Sequence, residues 1–326
     1  MDLNDNGKRL LATLIICSTI SIVVVAARFW CQYSLRRKFH ADDWWILATV
    51  VTYLGGQCVV LWGLTMGTGG MELPEIVLEL AKTPSEARAI ALENYLKSLY
   101  IAVTMLFVIL YEVKMSICIY YRQIFTTQQY RILSLMIMIA ATAWFIAVEL
   151  TDLCYCIPMD RFWHPTKPGR CLNFNLFYLA INIVETVIDT AILALPIRAI
   201  FKVQLALKTQ LIVSGIFLLG GFAIITNILR IYYSYQPNVE YIAFIASEIW
   251  GNIHITMAIL CACLPTYMPL RMKAARLLRT LRDMYSSTVH SGLSSPMISV
   301  SEDNTDGLEP KRHIEHTEIN SHNEPV

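Results

Sequence analysis

Charge is what this chain has least of: charged residues make up 16% of its 326 positions, against about 25% in ordinary soluble domains. A water-covered surface of that size needs more, and a hydrophobic content of 56% exceeds what one aqueous core accounts for. Net charge is nearly absent too, at +1, so nothing drives the chain toward nucleic acid and no such partner is expected. Also missing are HExxH, GxSxG, a Walker loop and a dinucleotide fingerprint, so an enzyme is not expected and no cofactor is implied. His254 stands without a second His, Cys or carboxylate at ligand spacing in its own stretch, which favours a structural role over a metal site.

What the chain has instead is long apolar runs. A hydrocarbon core about 30 Å thick takes roughly 20 residues at 1.5 Å each. Segments of that length fall at 10–32, 44–66, 96–120, 132–153, 173–197, 209–234 and 241–268. The expected fold is therefore all-α, a seven-helix transmembrane bundle surrounded by the lipid bilayer, preceded by a short segment, residues 1–9. The first run is long and lacks a clear small-residue cleavage site, so it is read as helix one rather than as a removable leader.

Orientation follows from Lys and Arg near the span ends, because cytoplasmic loops carry the excess. Arg36, Arg37, Lys38, Arg122, Arg131, Arg198, Lys202, Lys208, Arg271, Lys273, Arg276, Arg279 and Arg282 fall on one side; the basic residues of the other side are fewer and diluted by Glu72, Glu75, Glu79, Glu86 and Glu93. That sets the N-terminus outside and the C-terminus in the cytoplasm of a multi-pass protein, with the plasma membrane the expected location. Residues 269–285 interleave Leu277, Leu278 and Leu281 with arginines, the pattern of a basic helix on the inner leaflet. Residues 286–326 lose periodicity and read as a disordered cytoplasmic tail bearing Ser291, Ser294, Ser295 and Ser299 as candidate phosphorylation sites.

Of nine cysteines, six lie in apolar runs and three surround one polar loop. With that loop outside, a Cys156–Cys171 bridge is expected, and Cys154 is the competing partner.

Ionisable residues inside spans cost roughly 2.5–3.5 kcal/mol at the helix centre, so they face inward and pair. Tyr100, Thr104, Phe107, Tyr111, Lys114 and Cys118 recur at helical steps and share one face, as do Asn182, Glu185 and Asp189. Depth counting puts Lys114 and Asp189 at one level, so an ion pair is predicted, either a switch or a static register pin. Arg28, Asp42, Asp43, Arg122 and Glu185 join them in an inner polar network. An outer layer holds Tyr100, Glu149, Asp152, Arg230, Glu248 and Asn252 among Trp144, Tyr178, Tyr232, Tyr233 and Trp250. Polar groups among aromatic walls suit a small amphipathic ligand, although interfacial aromatic belts produce the same pattern.

Five segments, ADDWWILATVV at 41–51, VKMSICIYYRQIF at 113–125, CIPMDRFWHPTKPGRC at 156–171, DTAILALPI at 189–197 and EIWGNIHITMAILCACLP at 248–265, together resemble the fungal rhodopsin-domain family, which includes satratoxin-cluster membrane proteins. The resemblance implies a GPCR-like bundle with Asp42, Asp43, Lys114, Asp189, Pro196, Glu248 and Pro265 at the family's polar and helix-shaping positions. It also implies a fungal protein with a receptor-like or undefined role, some relatives belonging to secondary metabolism. Retinal chemistry of the rhodopsin kind needs a lysine in the last helix, and 241–268 contains none. The expected function is thus a receptor-like sensor of a small molecule engaging a cytoplasmic signalling protein. An accessory role in a biosynthetic cluster is the alternative, and a solute carrier is weaker because no internal repeat is visible.

Overall fold

The computed structural model describes residues 3–82, 85–124, 127–164, 167–201, 207–235 and 243–293. Among these residues eight α-helices follow in order: α1 Asp5–Ser34, α2 Ala41–Gly63 with a π-helical turn Leu64–Thr68, α3 Leu73–Lys82, α4 Glu86–Ile124, α5 Gln128–Leu153, α6 Phe174–Phe201, α7 Leu207–Ser234 and α8 Phe244–Leu293. Between α5 and α6 lie two short strands, β1 Cys156–Ile157 and β2 Arg170–Cys171. The chain divides into a compact unit ending at Ala274 and a second beginning at Ala275. Everything below concerns the first.

Six helices are long and apolar enough to cross a membrane: Asp5–Ser34, Ala41–Met66, Glu86–Ile124, Gln128–Leu153, Phe174–Leu195 and Phe244–Tyr267. The predicted span at 209–234 falls on α7, whose described apolar stretch is the shorter Leu218–Ser234. The all-helical membrane architecture thus stands, with six spans rather than seven meeting the length criterion among the described residues. Large apolar side chains such as Ile16, Val23, Ile139 and Val187 are more than half exposed, a surface that lipid, not water, would cover. α4 is the central post: 67% of its apolar window is buried, against 28% in α1.

Three boundaries differ from the hydropathy reading. α4 begins at Glu86, ten residues before the predicted span, because EARAIALENYLK is made of good helix formers and needs no lipid to stay helical. α3 occupies what looked like a plain loop, burying Ile76 while Glu75 and Glu79 lie outside the core. α8 runs unbroken through 269–285 to Leu293, so the helix includes the first residues of the predicted tail. Ser294, Ser295 and Ser299, and the side chains of Arg198, Lys202, Lys208 and Ser291, lie outside the described residues.

One end of the bundle is tied by backbone contacts. The Asn4 N–H donates to the Gly69 carbonyl at 3.0 Å, and Gly70, at φ 100°, packs where a Cβ would come within 2.5 Å of the Gly7 nitrogen. Only glycine satisfies both demands. Nearby, the Glu72 carboxylate accepts the N–H groups of Phe244 and Ile245, both at 3.1 Å, capping the free donors at the start of α8. Glu72→Ala should cost about 0.5–2 kcal/mol, the usual loss for a helix cap.

Burial pushes the Glu72 carboxyl up from its ordinary value. A raised folded-state pKa means that the native protein holds the proton longer than the unfolded chain. Stability from this group is therefore complete below the ordinary carboxylate range and falls as pH rises through the folded value. Thermal unfolding followed across that window should show a slope that Glu72→Gln removes; an unchanged slope would assign it to another group.

The loop after α5 folds as a hairpin, Cys156 opposite Cys171 and Ile157 opposite Arg170. Cys156 and Cys171 form the disulfide, leaving Cys154 a free, exposed thiol. Phe162 of this loop packs on Tyr100 at 5.6 Å and on Tyr155 at 5.5 Å, while Tyr155 meets Phe174 at 5.3 Å. Lys167 binds Asp160 at 2.8 Å and holds its carboxyl below the usual range. The loop is thereby stapled over the ends of α4, α5 and α6.

Candidate functional site

Helical spacing places Lys114 on the inward stripe of α4, where it is 3% exposed. An ammonium there must find anions within reach, and α6 supplies two, one turn apart. Lys114 Nζ lies 2.9 Å from Asp189 Oδ1 and 3.2 Å from Glu185 Oε1. The indole of Trp144 stands 5.6 Å away, adding a cation–π contact to a buried ammonium.

Glu185 is the hub. Its second oxygen, Oε2, accepts from Arg230 of α7 at 2.5 Å. His254 of α8 places Nε2 at 3.5 Å from Glu185 and 3.8 Å from Asp189, while its Nδ1 faces the Ala223 carbonyl at 2.9 Å. Arg230 also donates to Asn182. Lys114 and Arg230 balance Glu185 and Asp189, so the four charges sum to zero, the condition under which ions survive in a bilayer interior.

Glu185, Asp189 and His254 each offer a ligand atom, and these lie within 4.8 Å of one another, close enough for a metal ion. The charges argue otherwise. Lys114 Nζ already bridges both carboxylates and Arg230 holds the remaining Glu185 oxygen, so the protein's own cations take a metal's place. His254 is far from solitary, and the spacing within its own helix could not reveal partners that arrive from α6.

A second cluster forms where α1, α2, α4 and α8 converge. Arg28 is wholly buried; its Nε donates to Asp43 at 2.9 Å, Nη2 donates to Asp42, and Nη1 donates to the Ala262 carbonyl at 2.8 Å. Gln123 reaches the other Asp42 oxygen at 2.7 Å, Gln32 reaches Asp43 at 2.5 Å, and the His40 N–H caps onto Asp43 at 3.0 Å. Two carboxylates against one guanidinium leave a negative charge, which the N-terminal turn of α2 attracts.

The inner network predicted as one unit is therefore two separate clusters. Arg122 is half-buried and joins neither among the described residues. The outer layer also divides. Tyr100 donates to the Asp152 carbonyl at 3.5 Å, Thr104 donates to the Asp152 carboxylate at 2.7 Å, and Glu149 keeps a buried oxygen without a partner. Across the bundle, Asn252 accepts from Tyr53 at 2.8 Å and Gln57 at 2.5 Å and donates to Glu248 at 3.1 Å. Arg230 leaves the layer altogether for Glu185. Trp144 sits at the Lys114 level, whereas Tyr232 and Tyr233 point outward and Tyr233 stacks on Trp250 at 5.7 Å. Tyr232 and Tyr233 thus face away from any internal site.

A cavity opens beside Lys114, not among the predicted outer residues. Its walls come from α4, α6, α7 and α8; Lys114, Asp189 and His254 form its polar end, and Tyr121, Gly220 and Cys261 are among the rest. The space open to the centres of water-sized molecules is about 50 Å³. At roughly 10–15 Å³ per water, that is room for about four waters or a small organic group.

Comparison with known proteins gives a consistent result. The fungal rhodopsin domain model matches residues 27–273. The wortmanamides biosynthesis cluster protein C of Talaromyces wortmannii is 26% identical over 78% of this chain and 68% of its own length. Satratoxin biosynthesis SC1 cluster protein 4 of Stachybotrys chartarum is 27% identical over 48% of this chain and 58% of its own. A SAT4 family membrane protein of Emericella nidulans is 26% identical over 48% of this chain and 41% of its own. No solved structure matches the chain.

Proposed function

This chain belongs to the fungal rhodopsin domain family, and on that premise we propose that it is a receptor-like sensor: a GPCR-like bundle of seven helices in the plasma membrane, N-terminus outside. A small molecule entering the cavity beside Lys114 and Asp189 biases the packing of α4, α6, α7 and α8, and a cytoplasmic signalling protein reads the change. One observation carries this reading. The balanced cluster joins those four helices through contacts that can be exchanged, and a cavity gives a guest access to it. The reading is one of binding rather than catalysis.

The relatives favour a second, compatible reading. Two of them are named for biosynthetic clusters, so the molecule sensed can be a product or intermediate of such a cluster, with the protein acting as an accessory of that pathway. Purified protein in nanodiscs, titrated with extracts of the producing fungus, should show a ligand-dependent rise in unfolding temperature and ligand-dependent capture of a G-protein α subunit. Solute uptake into proteoliposomes without such capture would favour a carrier instead.

A further inference from the structure

The geometry points to a small amphipathic amine as the ligand class of the Lys114–Asp189 cavity, an inference that rests on the sensor reading above. Of the charges in the cluster, Asp189 is the one presented to open space: its side chain is 19% exposed, against 4% for Lys114 and 0% for Glu185 and Arg230. It is also the less heavily engaged carboxylate. Glu185 meets Lys114, Arg230 and His254, whereas Asp189 has Lys114 at 2.9 Å and His254 only at 3.8 Å.

Exchange at this site has a preferred sign. If a guest ammonium takes Asp189, Lys114 falls back on Glu185 at 3.2 Å and shares it with Arg230, so each cation still faces a carboxylate and the cluster carries one extra positive charge. A guest carboxylate meets the opposite situation. It would lie against Asp189 and would have to draw Lys114 from both of its partners, a like-charge contact in a setting where charges are weakly screened. The rest of the wall is hydrocarbon from Leu110, Val113, Ile117, Ile192, Leu193 and Ala258, which suits an alkyl body behind the amine. Gly220 sets the width: a Cβ there would meet Leu193 Cδ1 at 2.4 Å, so alanine displaces the flexible end of Leu193 and narrows the space without altering a charge.

Cys261 lines the same cavity and reports occupancy through its rate of modification by a small maleimide, read by mass spectrometry on full-length protein in nanodiscs of neutral lipid at pH 7. Exposed Cys154 serves as the control for effects on the bilayer. n-Hexylamine, n-hexanol and hexanoate are the probes. Hexylamine should slow Cys261 at least fivefold with Cys154 unaffected, at a concentration tenfold or more below that of hexanoate. Asp189→Asn should abolish the preference, and Gly220→Ala should weaken hexylamine about tenfold, giving a readout even if the first variant fails to fold. Hexylamine protection of Cys261 at the parent's concentration dependence in either folded variant overturns the assignment. Protection by hexanoate or hexanol in place of hexylamine overturns the amine class but leaves the sensor site standing, whereas no protection by any of the three removes the cavity as a ligand site.

Discussion

Arg28→Met is expected to eliminate most of the folded protein, a larger effect than any single loss among its partners. Arg28 is enclosed completely, with Asp42 and Asp43 at 2% and 1% exposure. Removing the guanidinium leaves two carboxylates side by side with no cation and removes the side-chain donor to the Ala262 carbonyl. Breaking a buried ion pair from one side costs about 3–5 kcal/mol, most of the margin in a protein stable by about 5–15 kcal/mol. Asp42→Asn has the opposite effect on charge, leaving one guanidinium facing one carboxylate, and an amide oxygen can still accept from Gln123. That variant should lose about 1.5–3 kcal/mol, the scale of one hydrogen bond to a charged group. Arg28→Lys should fall between, because an ammonium keeps the charge but cannot span both carboxylates and the carbonyl. Yield of monodisperse protein after a temperature ramp in detergent ranks the three. Equal losses from Arg28→Met and Asp42→Asn would falsify the charge-balance account.

The parts of this architecture legible in the sequence are those that depend on one helix at a time. The stripe through Tyr100, Thr104, Phe107, Tyr111, Lys114 and Cys118 needs only the helical period, and the structure turns Phe107, Lys114 and Cys118 into the core. Lys114 and Asp189 lie at one depth along their helices, which counting at a fixed rise per residue shows, and they meet at 2.9 Å. The bridge to Cys171 was legible as a choice between Cys154 and Cys156, and the structure pairs Cys156 and leaves Cys154 free.

Depth counting fails where side-chain direction matters. Arg230 has its Cα among the outer residues, but Cα–Cβ bonds tilt toward a helix's N-terminus, and a long guanidinium follows that tilt down α7 to Glu185. His254 gave no signal, since its carboxylates stand on another helix. α3 was readable from Leu73, Ile76, Val77 and Leu80 at helical spacing, yet a ten-residue helix falls below any search for membrane-length runs. The cavity is beyond sequence altogether, because it depends on how four helices fail to fill the space between them.

Glu185→Met tests the other cluster, and the informative result is what Arg230→Met does to it. Alone, Glu185→Met leaves Arg230 buried with Asn182 as its one side-chain acceptor among the described residues, while Lys114 retains Asp189; the expected cost is about 3–5 kcal/mol. Arg230→Met alone leaves Glu185 to share Lys114 with Asp189, an excess of one negative charge, and should also destabilise strongly. The double variant removes one charge of each sign. It leaves the Lys114–Asp189 pair balanced and replaces an ion pair with two flexible apolar side chains of fitting length. It also eliminates the Arg230 Nε and Nη1 donors, which are buried without hydrogen-bond partners. The double should therefore be more stable than either single variant, with a coupling of about 2–3 kcal/mol. Strict additivity in a thermal or denaturant series would show that Glu185 and Arg230 do not act as a pair. A folded double variant also tests the exchange at Asp189. Without Glu185, Lys114 has no second carboxylate when a guest ammonium takes Asp189, so hexylamine should protect Cys261 in this protein less than in the parent; equal protection would show that Glu185 is not the partner Lys114 falls back on.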